Sequence, residues 1–469
     1  MVIGSFAVFL LLFVLVGVLS ARKRKETSMD YLLASHNVKP WLVALSAVAT
    51  NNSGYMFVGQ IGFTYVAGLS SIWLMIGWIL GDFLMSFLVH KRLRTASEER
   101  NALSFAGVLS QWQGGDYKYV RLLGGIITLA FLSIYAAAQL NAGSKALHVL
   151  FGWDYAAGAI IGAVIVLLYC LASGIRASIW TDAAQSFVMI GAMGLMLAMS
   201  VSALGGWAHF LAQLDDVSPI YMNWLPQDLP LGGFAGPALF VLGWFFAGIG
   251  VIGQPHIMVR FMAMDDPARM RRTRMYYYSW YVLFYLMTIA VALAARILLP
   301  AADVFDAELA LPSLAQQLLP PVFVGLVLAG LFAATMSTAD SQILSCTAAL
   351  THDLSGGKLK NSYVANKVAT AGVTLFALVV ALSDNDSVFA LIIFAWSGLA
   401  AAFAPLLIVL AFGCRVPQGL AVTMMLSGVS TAVAWQKMGY GDIIYEAAPG
   451  IVAGLLIFGA GKLLCSLRS

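Results

Sequence analysis

Charge is scarce in this sequence. Its 469 residues include 26 Lys and Arg and 22 Asp and Glu, so only 10% are charged, against about 25% in a soluble domain. Together with 61% hydrophobic residues and a mean hydropathy of +0.87, that scarcity excludes an ordinary soluble fold. Cysteine is scarcer still. The four present are Cys170 and Cys346 in apolar runs and Cys414 and Cys465 near inner ends. They have no metal-ligand spacing, and cysteines on a cytoplasmic side stay reduced, so neither a zinc site nor a disulfide framework is expected. HExxH, GxSxG and CxxC motifs are all absent, which leaves an intramembrane enzyme without a motif to rest on. No segment alternates apolar and polar residues as the strands of a membrane barrel do. The pI near 8.8 arises from short loops, so nucleic acid is not an expected partner.

What the chain does have is a succession of apolar runs about 20 residues long, enough to cross a bilayer as helix. The fold class expected is all-α and polytopic. About thirteen spans are predicted, near 3–20, 41–68, 70–89, 122–148, 153–172, 179–203, 234–262, 275–298, 318–352, 366–383, 387–412, 418–436 and 446–464. All Lys and Arg except Lys145, Arg296 and Lys437 fall in alternate gaps, with Arg260 counted in the 260–274 gap. The opposite gaps hold Asp215, Asp216, Asp303, Asp306, Glu308, Asp384, Asp386, Asp442 and Glu446. Positive charge collects in cytoplasmic loops, so the N-terminus is expected outside and the C-terminus in the cytoplasm of a bacterial inner membrane. Met1–Ser20 lacks a basic start and a small-residue cleavage site, and Arg22-Lys23-Arg24-Lys25 follows it, so it reads as a membrane helix and not a signal peptide. A short interfacial helix is predicted over Leu103–Gln111.

Setting aside the first span and the last two leaves ten, in two sets of five: 41–203 and 234–412, separated by the outward stretch 204–233. Segment 1–40 precedes them and 413–469 follows. The two sets begin in opposite directions across the membrane, and the first span of each is interrupted. Residues 49–54 read Ala-Thr-Asn-Asn-Ser-Gly; residues 248–255 read Gly-Ile-Gly-Val-Ile-Gly-Gln-Pro. Interrupted helices at matching places in two inverted halves point to a transporter binding site, because irregular backbone at membrane depth persists only beside protein or a water-filled cavity. Two ordinary kinked helices are the alternative.

Thr50, Asn51, Asn52 and Ser53 offer oxygens suited to a hard cation such as Na⁺. A second polar cluster lies at Ala333–Ser341, where Ser337 and Ser341 share a helix face, as do Ala334 and Thr338. Asp340 is ionisable within a span and Asp182 lies near an inner end, so Asp182, Asp340 and Ser341 form a possible second ion site. Alternatively, Asp182 pairs with Arg176 or caps its helix. Asp82 faces either the cavity or a basic residue among His90-Lys91-Arg92. Tyr135 and Gln139 share a face, and Trp396 and Ser397 interrupt a later apolar run; these suit substrate contact or packing.

Several segments resemble one known family. Gly174-Ile175-Arg176 followed by Trp180-Thr181-Asp182-Ala183-Ala184-Gln185 resembles the signature of the sodium:solute symporters. Gly253-Gln254-Pro255-His256-Ile257 through Arg260-Phe261-Met262-Ala263, Ala334-Thr335-Met336-Ser337-Thr338, and Phe394-Ala395-Trp396-Ser397-Gly398 through Ala401-Ala402-Phe403 resemble its bacterial sodium/proline branch. Ala44-Leu45-Ser46-Ala47 through Ser53-Gly54 matches the same branch. The resemblance runs in order from about residue 30 to 415 and implies a leucine-transporter-like 5+5 inverted repeat and Na⁺-driven uptake. It implies a sodium site of the Ala49, Asn52 and Ala334 carbonyls with the Ser337 and Thr338 hydroxyls. The branch carries an acid where this chain has Asn51, as sugar-transporting relatives do not. It carries a Trp and a Tyr where this chain has Ala247 and Val251, with Trp244 one turn away. A wider pocket is expected, which speaks against proline.

The function expected is Na⁺-coupled symport of an amino acid or small carboxylate by alternating access, with no cofactor beyond the coupling ion. Substrate contacts are expected from Asn51, Ser53, Met56, Met75, Tyr135, Gln139, Trp244, Val251, Gln254 and Trp396. Half-helix amides are expected to receive a carboxylate, since no basic residue lies deep in the pocket. A membrane solute sensor and an H⁺-coupled symporter of the same fold are the alternatives. Partners are the small solute, Na⁺ and the lipid bilayer.

Overall fold

The computed structural model describes residues 1–22, 25–356, 358–359, 362–383 and 387–466. Asp384 and Asp386, and the basic residues Lys23, Arg24, Lys360 and Arg468, lie outside them. The described residues fold into helices with no named strand. In chain order these are α1 (Val2–Ala21), α2 (Ser28–Leu33), α3 (Pro40–Phe57), α4 (Gly59–Ala67), α5 (Ile72–Leu88), α6 (His90–Arg100), α7 (Phe105–Gln111), α8 (Lys118–Phe151), α9 (Tyr155–Ser173) and α10 (Ile175–Ala203). There follow α11 (Trp207–Asp215), α12 (Ala235–Ile249), α13 (Pro255–Met262), α14 (Met270–Leu298), α15 (Ala310–Leu318), α16 (Pro321–Ala348), α17 (Tyr363–Ser383), α18 (Val388–Ala411), α19 (Gln418–Lys437) and α20 (Ala447–Ser466).

Ten stretches among the described residues are long and apolar enough to cross a membrane. The first core helix α3 falls short on polarity, because Thr50, Asn51, Asn52 and Ser53 dilute it. Burial separates centre from rim. Some 89% of the most apolar window of α18 and 83% of that of α16 are buried, against 17% for α1, so α1 lies on the lipid-facing rim and α16 and α18 form the centre.

The two interruptions are real, and each has a local cause. In α3, Ser53 adopts φ 51°, ψ −175°, a strained conformation for a residue with a Cβ. Its Oγ accepts the Tyr55 amide at 3.1 Å, which closes the turn locally. Gly54 follows because a Cβ there would meet Thr335 Cγ2 at 2.6 Å. On the other side, α12 tightens into a 3₁₀ turn at Gly250–Gly253, and Gln254 is extended before Pro255 starts α13. Proline fits there, since its missing N–H is unpaired at a helix start anyway.

α18 runs unbroken through Trp396 and Ser397, because both polar groups are satisfied without opening the helix. One expectation changes. The short helix expected over Leu103–Gln111 begins at Phe105, capped by Ser104 Oγ on the Gly107 amide at 3.0 Å, and residues 105–110 are buried under the bundle instead of lying at an interface.

Candidate functional site

The breaks in α3 and between α12 and α13 face the middle of α16, α8 and α18. Ser337 Oγ on α16 lies 3.5 Å from the Ala49 carbonyl oxygen and 3.0 Å from that of Ala334. Thr338 Oγ1 lies 3.1 Å from the carbonyl oxygens of both Thr50 and Ala334. Four of the five residues expected to hold sodium therefore meet across the α3–α16 contact. The fifth, Asn52, is buried; its Nδ2 donates to the Val48 carbonyl at 2.7 Å and its Oδ1 has no partner.

One turn along α16 lies a second cluster. Ser178 Oγ donates to Asp340 Oδ1 at 3.0 Å, and Ser46 Oγ to Asp182 Oδ2 at 2.6 Å. Arg260 of α13 enters this cluster. It was expected among the loop charges but is fully buried, because a guanidinium held by two carboxylates is more stable inside than either acid alone. Its Nη2 donates to Ser178 Oγ at 2.5 Å and to Ser341 Oγ, and lies 3.3 Å from Asp182 Oδ2 and 3.7 Å from Asp340 Oδ1. The expected alternative, an Asp182–Arg176 pair, does not form. Arg176 instead binds Asp30 at 2.5 Å. The signal for Arg260 was present: the predicted span 234–262 runs past it, and an ionisable residue within a span is a functional candidate.

The substrate candidates gather around the first break. Tyr135 Oη donates to Ser53 Oγ at 3.4 Å, and Gln139 Oε1 accepts the Gly54 amide at 2.9 Å. Of the half-helix amides at the first break, that of Gly54 is thus occupied by Gln139 and that of Tyr55 by Ser53. Gln254 Nε2 donates to the Trp396 carbonyl at 3.0 Å, and Trp396 Nε1 to the Ala247 carbonyl at 3.2 Å, tying the second break to α18. Between the two breaks sits His256, fully buried with both ring nitrogens unpartnered, its ring 5.4 Å from Tyr135 and 6.5 Å from Trp396. It stands in the motif quoted above, yet nothing in its spacing marks it for a pocket. Met56, Met75 and Val251 are buried in the surrounding core.

Trp244 stands one layer further out. It stacks on Tyr445 at 5.2 Å and on Trp78 at 6.3 Å, and Trp78 in turn meets Trp396 at 4.7 Å. Above this aromatic floor opens a cavity of about 670 Å³, lined in part by Phe63, Phe389, Trp244, Tyr445, Asp442 and Glu446. Glu446 Oε1 accepts from Ser397 at 3.2 Å. Nearby, burial works to raise Glu308, but Lys145 at 2.5 Å, Ser387 at 2.6 Å and the Phe389 amide at 3.0 Å hold its carboxyl below the usual range.

The opposite end is shut. His36 Nδ1 lies 2.7 Å from the Met262 carbonyl oxygen, Asp265 N donates to Val38 O at 2.9 Å, and buried Arg94 Nε donates to Met264 O at 2.5 Å. Asp30, raised by burial, is brought below its ordinary value by Arg176 and the Lys25 amide.

Asp82 is fully buried, and neither carboxylate oxygen has a hydrogen-bond partner. The expected pairing with His90, Lys91 or Arg92 does not form, because those residues lie beyond the end of α5 while Asp82 faces inward to Tyr277 and Tyr278.

The chain matches the model of the sodium:solute symporter family over residues 31–428. It is 30% identical over 445 residues to the high-affinity proline transporter PutP of Bacillus subtilis, covering 93% of this chain and 92% of that protein. It is 30% identical over 465 residues to the sodium/proline symporter of Salmonella typhimurium, covering 96% and 91%. Among solved structures, a Na⁺-coupled sialic acid symporter in a substrate-bound outward-open state superposes with a TM-score of 0.82 at 18% identity, over 97% of this chain and 96% of that one. MhsT in complex with L-phenylalanine superposes at 0.52 and 12% identity, over 90% and 99%. The chain belongs to the sodium:solute symporter family and is a multi-pass membrane carrier that moves a small solute together with Na⁺.

Proposed function

We propose that the solute is an amino acid or small carboxylate, carried by alternating access with Na⁺ bound among Ala49, Asn52, Ala334, Ser337 and Thr338. The observation that carries the reading is the convergence of hydroxyls from α16 on the carbonyls of Ala49 and Thr50 beside the Ser53 break. Na⁺ at this junction would hold α3 against α16 and so favour one conformation; that differential affinity couples ion to solute. Solute would lie between the two breaks, against Asn51, Ser53, Tyr135, Gln139, Gln254 and Trp396, with Met56, Met75 and Val251 shaping the wall and Trp244 above. For the amide of Gly54 to take a carboxylate, Gln139 must first swing away.

Asp182, Asp340 and Ser341 make up the proposed second ion site. Two carboxylates face one guanidinium there, so one further positive charge is accommodated. The proposed organisation is thirteen spans, with segment 1–40, inverted halves 41–203 and 234–412 joined by 204–233, and the appended 413–469. The interruptions in α3 and at 250–254, each in the first span of its half, support the repeat. The proposed orientation places the N-terminus outside a bacterial inner membrane and the C-terminus inside, so the 670 Å³ cavity opens outward.

Ser337→Ala and Thr338→Ala test the site. Each should raise the Na⁺ concentration needed for half-maximal uptake by about tenfold, the equivalent of about 1.4 kcal/mol of ion binding, while thermal stability in detergent changes little. An unchanged Na⁺ response in both variants would remove the ion from this position.

A further inference from the structure

Asp82, Asp182 and Asp340 are carboxylates fully or almost fully buried within the bundle. Asp182 and Asp340 share Arg260. Asp82 has no cation. Of the described Arg and Lys side chains, none pairs with it, and the groups it faces are the hydroxyls of Tyr277 and Tyr278 on α14. An ionised carboxylate removed from water without a counter-charge costs several kcal/mol.

The surroundings of Asp82 are rich in oxygen. Asn51, beside the strained Ser53, donates through Nδ2 to Tyr277 Oη at 2.6 Å. Its Oδ1 is buried and unpartnered, as are both oxygens of Asp82 and the hydroxyl of Tyr278. Tyr277 accepts from Asn51, so its own O–H remains to donate and its second lone pair remains to bind. The arrangement joins the first break (α3), α5 and α14 around one negative charge. It also accounts for the neutral residue at position 51: the negative charge near this break comes from α5 and not from α3.

We propose that Asp82, with the Asn51 side-chain oxygen and the hydroxyls of Tyr277 and Tyr278, forms a binding site for a monovalent hard cation, Na⁺, distinct from the position at Ser337 and Thr338. Oxygen ligands with a single carboxylate are the donor set that such an ion takes. A proton on Asp82 would neutralise the same charge; Na⁺ would in addition gather the lone pairs of Asn51 Oδ1 and the two phenol oxygens. Because Asn51 sits two residues before Ser53, the ion would stabilise the broken conformation of α3 that the solute pocket needs.

The test is the number of ²²Na⁺ ions bound per chain, by equilibrium dialysis of the purified full-length protein in detergent. Asp82→Asn should bind one Na⁺ fewer than the wild type. Ser337→Ala combined with Thr338→Ala should also bind one fewer, and all three changes together two fewer. Tyr277→Phe, which keeps the ring and removes one ligand, should weaken one class of Na⁺ by about tenfold, and it serves if Asp82→Asn does not fold. Wild-type Na⁺ number in Asp82→Asn, or wild-type affinities in Tyr277→Phe, would overturn the proposal. So would a proton taken up by Asp82, absent in Asp82→Asn, with the Na⁺ count unchanged. An unchanged Na⁺ number in the Ser337→Ala/Thr338→Ala variant, with one fewer in Asp82→Asn, would count against the main site and leave this one standing.

Discussion

Asp182 and Asp340 lie in a cluster that brings its own cation, Arg260; Asp82, just as buried, faces only phenol hydroxyls. The same residue type at similar depth thus has two different electrostatic fates. In the first cluster a tethered guanidinium offsets one of the two negative charges permanently and ties α13 to α10 and α16 through Ser178, Asp182, Asp340 and Ser341. In the second, neutralisation must come from a mobile ion. A fixed cation serves structure, whereas an exchangeable one can couple to transport, so the contrast separates a site that is partly braced from one that depends wholly on a mobile ion.

The largest effect that would sharpen this contrast is at Arg260. Arg260→Gln leaves two buried carboxylates facing each other and should destabilise the fold by about 3–5 kcal/mol, read as a fall in the melting temperature of detergent-solubilised protein. Adding Asp340→Asn should recover a large part of that loss, because one of the two stranded charges disappears. If Arg260→Gln melts like the wild type, the guanidinium is no brace and the contrast fails. Next in size is Gly54→Ala. Its methyl would meet Thr335 Cγ2 at 2.6 Å and crowd Gln139, and overpacking of this kind costs about 1–3 kcal/mol. Uptake should suffer more than melting temperature, since the clash lies where α3 breaks. Equal loss in both would make the position purely structural.

The smallest effect concerns Glu308, outside the spans. Its folded carboxyl lies below its ordinary value of 4.5, so the stability it contributes is fully present above that pH and is lost as pH falls through and below it. Lowering pH from 6 to 3.5 should therefore reduce the melting temperature of the wild type more than that of Glu308→Gln. Parallel curves for the two proteins would show that the Lys145–Glu308 contact contributes nothing.

The sequence was informative where polarity interrupts an apolar run. Asn51-Asn52-Ser53 and the 248–255 segment stood out against their surroundings, and both proved to be breaks in helix. The Ala333–Ser341 cluster was visible for the same reason. Arg260 was misplaced because it lies two residues from the end of its span, where a charge counted along the chain reads equally as loop or interior; only the third dimension shows that Asp182 and Asp340 converge on it. His256 and Tyr277 carried no signal of their own, since an aromatic ring with one polar atom is as common at a helix packing face as in a pocket. Trp396 and Ser397 interrupt the apolar run without interrupting the helix: the indole N–H finds the Ala247 carbonyl and α18 stays whole.

The central claim is that solute movement draws on Na⁺. It is tested most directly by uptake of a labelled amino-acid and carboxylate panel into proteoliposomes containing the purified protein, with and without an inward Na⁺ gradient. The account predicts that at least one compound accumulates above its external concentration only when the gradient is present. Accumulation of the same extent without Na⁺, driven by a pH gradient instead, would contradict it.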